Sequence, residues 1–290
     1  MKLKLGLMFA NTGRFATSAA AARALGQAAE DAGIESLWTV EHVVVPQGYQ
    51  SEYPYDRSGR MPGGEDSPIP DPLIWLSHLS AVTTTVKLAT GILILPQRNP
   101  LVLAKACSTL DQLSGGRLIL GVGVGWLREE FDALGIPFSG RGRRLDEYVA
   151  ALRSAWGEQP ASFSGEHVSF DDVYSVPRPA DGTIPIVVGG HTDAAARRAG
   201  RLGDGFFPGR ASDSALVRLL GIMREAAEEA GRDPGAIEVT AGSPGLFGLD
   251  PQGAAARLEE LGVHRVVIPP LSYDPAQIGT ALAELTARLA

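Results

Sequence analysis

The sequence predicts an α/β chain closed into a (β/α)8 barrel, and three observations predict it. Short apolar runs rich in Val, Ile and Leu alternate with helical patterns along the whole chain, eight pairs in 290 residues. A barrel of this kind typically takes about 250 residues, more with insertions. The runs are almost continuously hydrophobic, as parallel strands buried on both faces require. Long segments rich in Pro and Gly follow the second and fourth strands, which in a barrel places these insertion loops at the C-terminal mouth, where sites are built. An open, doubly wound sheet shares the same alternation, and element order alone does not distinguish the two. No linker or shift in composition divides the chain, so one domain over 1–290 is expected.

The elements follow in order. LKLGLMF (3–9) is the first strand, and the punctuated apolar run of the N-terminus suits a strand better than a signal peptide. The alanine-rich stretch 18–32 is a helix ended by Gly33. SLWTVEH (36–42) is strand two, followed by the first insertion, 43–70. Asp71 as N-cap and Pro72 in the first turn open a helix over 71–83. KLATGILIL (87–95) is strand three, 99–113 helix three and RLILGVG (117–123) strand four. The second insertion, 125–140, leads to helix four at 141–157. The third, 158–182, suits a small hairpin and starts from the opposite end of the barrel. TIPIVVGG (183–190) is strand five, 192–202 helix five, DGFFP (204–208) a short strand six and 211–230 helix six. AIEVTAG (236–242), the helix 251–262, HRVVIPP (264–270) and the helix 274–289 complete the eight pairs.

Composition narrows the function. With 44% hydrophobic and 20% charged residues the chain reads as an ordinary soluble globular protein. A net charge of −7 argues against nucleic acid as a partner. No apolar run of about 18 residues occurs, so no membrane span is expected and the cytoplasm is the expected location. The single cysteine, Cys107, sits in an apolar helical pattern and reads as a buried thiol. The histidines are scattered, with no H-x-x-x-H or Cys/His cluster, so no metal site is expected. No G-x-S-x-G elbow appears, which disfavours covalent hydrolysis.

The glycines of LGVGVGW (120–126) do not fit the dinucleotide fingerprint, since the third glycine of G-x-G-x-x-G would fall on Trp126 or Arg128. In a barrel, function gathers at strand ends, and two features stand out there. Glu41-His42 is an acid–imidazole pair leaving strand two. His42 can exchange a proton near neutral pH, or it can simply cap the strand. Glycine recurs at strand ends, where it either makes turns or lets a flat ligand approach the main chain. Gly189-Gly190 precede helix five, whose first N–H groups can hold a phosphate, with His191 and Thr192 as further donors. Arg141, Arg143 and Arg144 open helix four, either as a solvated face or as a partner for an anionic tail. Helix three (PLVLAKACSTLDQL) is unusually apolar for an element with one wet face, so a homodimer burying parts of helices two and three is expected.

Taken together, TVEH, ATGILILPQRNPLVLAKACSTLDQLSGGRLILGVGVGW, FSGRGRRLDEYVAAL, PIVVGG and AGRLGDGFF resemble the luciferase-like monooxygenase superfamily, in particular its branch that uses the deazaflavin coenzyme F420. The resemblance runs over roughly residues 1–210, and the rest matches in element order. It implies a TIM barrel with the cofactor at the C-terminal mouth, acting on a small-molecule substrate. Glu41 and His42 match the acid–histidine pair beside the ring, Gly91-Ile92 the dipeptide joined by a non-proline cis bond behind it, and Val124, Gly125 and Trp126 the residues around it. Val188, Gly189 and Gly190 match the segment near the phosphate. One departure matters: sugar-phosphate dehydrogenases of the family carry a glutamate acid where this chain has Trp126. That disfavours sugar-phosphate chemistry and favours an apolar or aromatic substrate. The expectation is hydride transfer between F420 and an activated C=C, C=N or C=O bond, or an alcohol, with His42 and Glu41 as the catalytic pair. An FMN-dependent monooxygenase using oxygen and a cofactor-binding protein without turnover are the alternatives.

Overall fold

The computed structural model describes residues 3–209 and 212–289. Its elements run β1 (Lys4–Leu7), α1 (Arg14–Thr17), α2 (Ala19–Asp31), β2 (Ser36–Thr39), α3 (Pro72–Ser80), β3 (Lys87–Thr90), β4 (Leu93–Ile94) and α4 (Pro100–Ser114). There follow β5 (Leu118–Gly123), α5 (Arg128–Ala133), α6 (Arg141–Trp156), β6 (Ala161–Ser164), β7 (Ser169–Val173), β8 (Ile186–Gly189) and α7 (Asp193–Leu202). The chain ends with β9 (Gly205–Phe207), α8 (Asp213–Glu229), β10 (Glu238–Gly242), α9 (Pro251–Glu260), β11 (Arg265–Ile268) and α10 (Ile278–Leu289). The parallel order β3-β2-β1-β11-β10-β9-β8-β5 is closed by pairing of β3 with β5, so the sheet is a barrel and not an open doubly wound sheet. The expected third insertion is the antiparallel hairpin β6–β7. Residue 211, where helix six was expected to begin, lies outside the described residues. No helix among the described residues is long and apolar enough to cross a membrane.

Helix starts follow the sequence chemistry. The Asp71 carboxylate accepts from the Leu73 and Ile74 N–H groups at 2.9 and 3.0 Å, with Pro72 behind it in the first turn. Asn99 does the same for Leu101 and Val102 ahead of Pro100. Such side chains satisfy N–H groups that have no partner inside the helix.

Strands are shorter than their apolar runs. The run 87–95 is split into β3 and β4, because Ala89 pairs with Ile119 while Leu93 pairs with Val122. Three residues, 90–92, therefore face two, 120–121, which makes a one-residue bulge at the mouth. The non-proline cis peptide expected at Gly91–Ile92 lies in it.

Two layers fill the barrel. Towards the mouth, Trp38, Ala89, Ile119, Val187, Phe207 and Val267 form an apolar plug, capped by Met8. Below it, Arg265 is buried, forked onto Glu35 at 2.7 and 2.8 Å, bonded to Glu238 and Thr240, with its guanidinium 5.5 Å from the Trp38 ring. Four hydrogen bonds and two carboxylates thus offset the cost of burying this cation.

The seam between β3 and β5 admits no side chain at residue 121, where a Cβ would run into the Thr90 carbonyl oxygen. Gly121→Ala is expected to cost about 3 kcal/mol, because the obstacle is backbone and cannot turn aside. Gly221→Ala, in the middle of α8 with nothing within 4 Å of its Cβ, should instead gain about 0.5–1 kcal/mol. Urea unfolding of both variants checks this, and equal stabilities would refute the seam argument.

Candidate active site

A cavity of about 1060 Å³ opens at the C-terminal mouth. Pockets for one drug-sized ligand run to roughly 300–1,000 Å³, so this one has room for a flat cofactor and a second small molecule. Its floor is the end of the barrel strands, and one wall is the 43–70 insertion, through Tyr53, Tyr55, Met61 and Ile69. Burial pushes the Tyr53 hydroxyl up to about 12 and raises that of Tyr55, so both stay protonated as neutral donors.

Asn11 anchors both ends of that wall. It is buried, its Oδ1 accepts from the Val40 N–H at 2.8 Å, and its Nδ2 donates to the Val40 and Pro70 carbonyls. Two adjacent acids on α5 hold the middle. The Glu129 carboxylate accepts from the Gln50 and Ser51 N–H groups and from the Ser51 hydroxyl; these bonds, the hydroxyl's first, draw its pKa down to about 2. The fully buried Glu130 accepts from Val43 N–H at 2.6 Å with one oxygen and meets His42 Nδ1 at 3.1 Å with the other. Neither α5 nor its acids were singled out from sequence. The usable signal was Glu129-Glu130 at the start of a short amphipathic segment inside an insertion.

Glu41 and His42 point to different tasks. The Glu41 carboxylate is buried, paired with Arg98 and bonded to the Ile94 N–H, and Arg98 also bridges to Asp71 at 2.8 Å. Burial pushes the Glu41 carboxyl up, against the pull of Arg98 and the Ile94 N–H. Its oxygens are thus committed to tying β2, β4 and the start of α3 together. His42 lines the cavity, and its ring is held by Glu130 on one side and by the edge of Trp126, 5.6 Å away, on another. Trp126 also meets Tyr49 and Tyr53 at 5.5 and 5.2 Å, so it is the centre of an aromatic cluster.

The glycines of the mouth answer first to internal packing. A Cβ on Gly123 or on Gly189 would strike the Ile92 side chain, one on Gly125 would meet Ile94 and Phe131, and one on Gly91 would meet Trp38 and Met8. Ile92 thus lies across two strand ends and forms part of the cavity floor. Gly91, Ile92, Val124, Gly125, Trp126, Gly189, Gly190 and His191 all line the cavity. Val188 does not: strand alternation sends Val187 into the barrel plug and Val188 into the helix-facing core, so its side chain points away from the cavity.

One edge of the cavity gathers donors and positive charge. Ala194 and Ala195 bring the first turn of α7 to it, where helix N–H groups lack partners. Thr192 serves as the cap of that helix, accepting from the Ala195 N–H at 3.2 Å. His191 packs on the Tyr55 ring at 5.0 Å and has its Nδ1 buried without a hydrogen-bond partner. Of the arginine trio only Arg141 lines the cavity; Arg143 is exposed, and Arg144 is buried with its guanidinium on the Pro137 carbonyl. Arg141 donates to the Gly125 and Phe138 carbonyls at 3.2 and 3.4 Å and stacks on the Phe138 ring at 3.7 Å; Arg128, exposed and outside the cavity lining, stacks on the same ring at 4.3 Å, and among the described residues neither has a carboxylate partner. Burial and the Arg128 charge together lower the Arg141 pKa. Cys107 takes no part: it is fully buried, and burial pushes its thiol up to about 12.

Comparison with known proteins identifies the family. The family model described as luciferase-like monooxygenase matches residues 1–264. An uncharacterized protein of Mycobacterium tuberculosis (H37Rv) is 35% identical over 245 residues, 84% of this chain and 83% of its own. The F420-dependent glucose-6-phosphate dehydrogenase of Kineococcus radiotolerans is 33% identical over 232 residues, 78% of this chain and 64% of the dehydrogenase. Among solved structures, an F420-dependent secondary alcohol dehydrogenase with an F420-acetone adduct superposes with a TM-score of 0.78 at 19% identity, covering both chains fully. Monooxygenase RslO1 from Streptomyces bottropensis superposes with a TM-score of 0.74 at 24% identity, covering 100% of this chain and 98% of its own. At those identities the structural likeness is one of fold. The family match over most of the chain is decisive: this protein belongs to the luciferase-like monooxygenase family.

Proposed function

We propose that the chain is an oxidoreductase that binds coenzyme F420 in the mouth cavity and exchanges a hydride between it and a small, apolar or aromatic organic substrate. The observation that carries the choice of cofactor is the pair Arg128–Arg141. Two guanidiniums share one phenyl ring without a carboxylate, an arrangement that mutual repulsion disfavours unless an anion joins it. The anionic lactyl-glutamate tail of the deazaflavin is such an anion, and FMN carries no counterpart beyond its phosphate. The α7 N-terminus and the unpartnered His191 Nδ1 suit the phosphate itself.

Bound there, the deazaflavin supplies a hydride carrier that reacts poorly with oxygen. The chain's own residues do the rest. Ile92, Val124 and Gly125 support the ring. Trp126, Tyr53 and Tyr55 exclude water and pack against the second molecule. His42 holds or moves the proton that accompanies hydride transfer to or from C=C, C=N, C=O or an alcohol carbon. Glu41 acts as a positioning residue through Arg98 and Ile94. With Trp126 where the sugar-phosphate dehydrogenases have an acid, His42 is the cavity-lining imidazole assigned to proton transfer.

We also propose a homodimer through α3 and α4. Val102 and Leu113 stand three turns apart on one face of α4, exposed by 69% and 70%, and Ile74 of α3 is 74% exposed. Sedimentation at micromolar protein is expected to give a dimer mass for the wild type and a monomer mass for Val102→Glu/Leu113→Glu; a monomeric wild type would end this proposal.

Titration of the cofactor-free protein with F420 and with FMN, each at two salt concentrations, tests the main reading. F420 is expected to bind more tightly, with affinity falling as salt rises. Arg141→Gln is expected to weaken F420 binding roughly tenfold while leaving the melting temperature close to that of the wild type. Tighter FMN binding with oxygen-dependent turnover would make the protein an FMN-dependent monooxygenase instead.

A further inference from the structure

The carboxylate of Glu130 does two things at once. Its Oε1 accepts the Val43 N–H at 2.6 Å and the Val44 N–H at 3.4 Å, and its Oε2 lies 3.1 Å from His42 Nδ1. The glutamate side chain is fully buried and that of His42 is 8% exposed, so water does not compete for these bonds. Among the described residues nothing is bonded to His42 Nε2, although the ring lines the cavity. Trp126, edge-on at 84° to the imidazole, flanks the ring.

We propose that Glu130 is a positioning residue that fixes His42 as the Nδ1–H tautomer, so that Nε2 offers the cavity a lone pair. A carboxylate beside two backbone donors acts as an acceptor, and an acceptor at Nδ1 requires the ring proton to sit there. The second nitrogen is then an acceptor by necessity. The arrangement selects a substrate that presents an O–H or N–H to the cavity, and it fits an alcohol or amine on the oxidation side of the reaction. In that direction the substrate O–H or N–H bond breaks and its proton goes to Nε2. The hydride of the adjacent C–H passes to the oxidised deazaflavin, and a C=O or C=N bond is left. In the reverse direction the imidazolium returns the proton from Nε2. This inference rests on the proposed place of His42 at the reacting centre. It adds that the tautomer is set by an acid on α5, and that the same acid ties down the start of the insertion that walls the cavity.

The test reads the tautomer directly. Nitrogen chemical shifts of the five histidines are recorded on isotope-labelled, cofactor-free protein at a pH where imidazole is neutral, and the His42 signals are assigned by their loss in His42→Gln. The wild type is expected to show a protonated Nδ1 and a bare Nε2. In Glu130→Gln the amide turns its NH2 towards Nδ1 while its oxygen keeps the Val43 N–H, so the proton is expected to move to Nε2. A wild-type ring protonated at Nε2, or a tautomer unchanged by Glu130→Gln, would overturn the proposal. If Glu130→Gln does not fold, the wild-type spectrum decides alone. In loaded enzyme the variant is expected to lose about 10²–10⁴ in kcat with KM little changed, the scale that a misplaced imidazole proton costs, and an unchanged kcat would count against the role. Failure of the deazaflavin reading abolishes wild-type turnover with F420 but leaves the tautomer result standing, so the two failures are distinguishable.

Discussion

Pairing of β5 with β3 and β4 on one side and with β8 on the other is the contact on which the rest depends. It closes the barrel past two glycines whose missing Cβ leaves room for a neighbour. At residue 121 the Thr90 carbonyl occupies the place of a Cβ, and at residue 123 the Ile92 side chain does. The bulge that puts three residues of the third strand against two of β5 is what lays Ile92 across the mouth. The floor of the cavity is therefore a product of closure. A side chain at residue 121 would press on the Thr90 carbonyl and strain the seam, while one at residue 123 would displace the Ile92 side chain.

Above the floor, the mouth is held by acids that act on backbone. Glu41 reaches the Ile94 N–H, Glu129 the Gln50 and Ser51 N–H groups, and Glu130 the Val43 and Val44 N–H groups. Long insertions have few apolar contacts with which to order themselves, so charge-assisted bonds to main chain substitute for a core. The positive edge is the counterpart of this economy. Arg98 answers Glu41 and Asp71, and Arg198 answers Asp146, while among the described residues Arg141 meets only the Gly125 and Phe138 carbonyls and the Phe138 ring, and Arg128 shares that ring, neither with a carboxylate. The cavity thus has one side held by ion pairs and carboxylate–backbone bonds and an edge where Arg141 has no carboxylate partner among the described residues.

The barrel was legible because burial on both faces writes itself as continuous apolar runs and because the caps at Asp71 and Asn99 mark helix starts. Strand lengths were not, since the apolar run 87–95 continues through the bulge that breaks it, and hydrophobicity carries no record of register. Gly123 and Gly189 were legible as special positions, but their packing partner was not. Sequence shows that a Cβ is missing, whereas the structure shows that Ile92 fills the space. The direction of the Val188 side chain was not legible from adjacency, because neighbours in a strand face opposite sides and this one joins the helix-facing core. Glu130 was invisible because its partners lie 86–88 positions away and its helix is six residues long. A contact of that sequence separation leaves no local pattern to read.

A crystal structure of the protein with F420 tests the central claim most directly. The account predicts the tricyclic ring over Ile92 and Gly125 with its edge towards His42, the phosphate at the first turn of α7, and the glutamate tail between Arg128 and Arg141. A ring outside the mouth cavity, or a tail that leaves both arginines untouched, would contradict it.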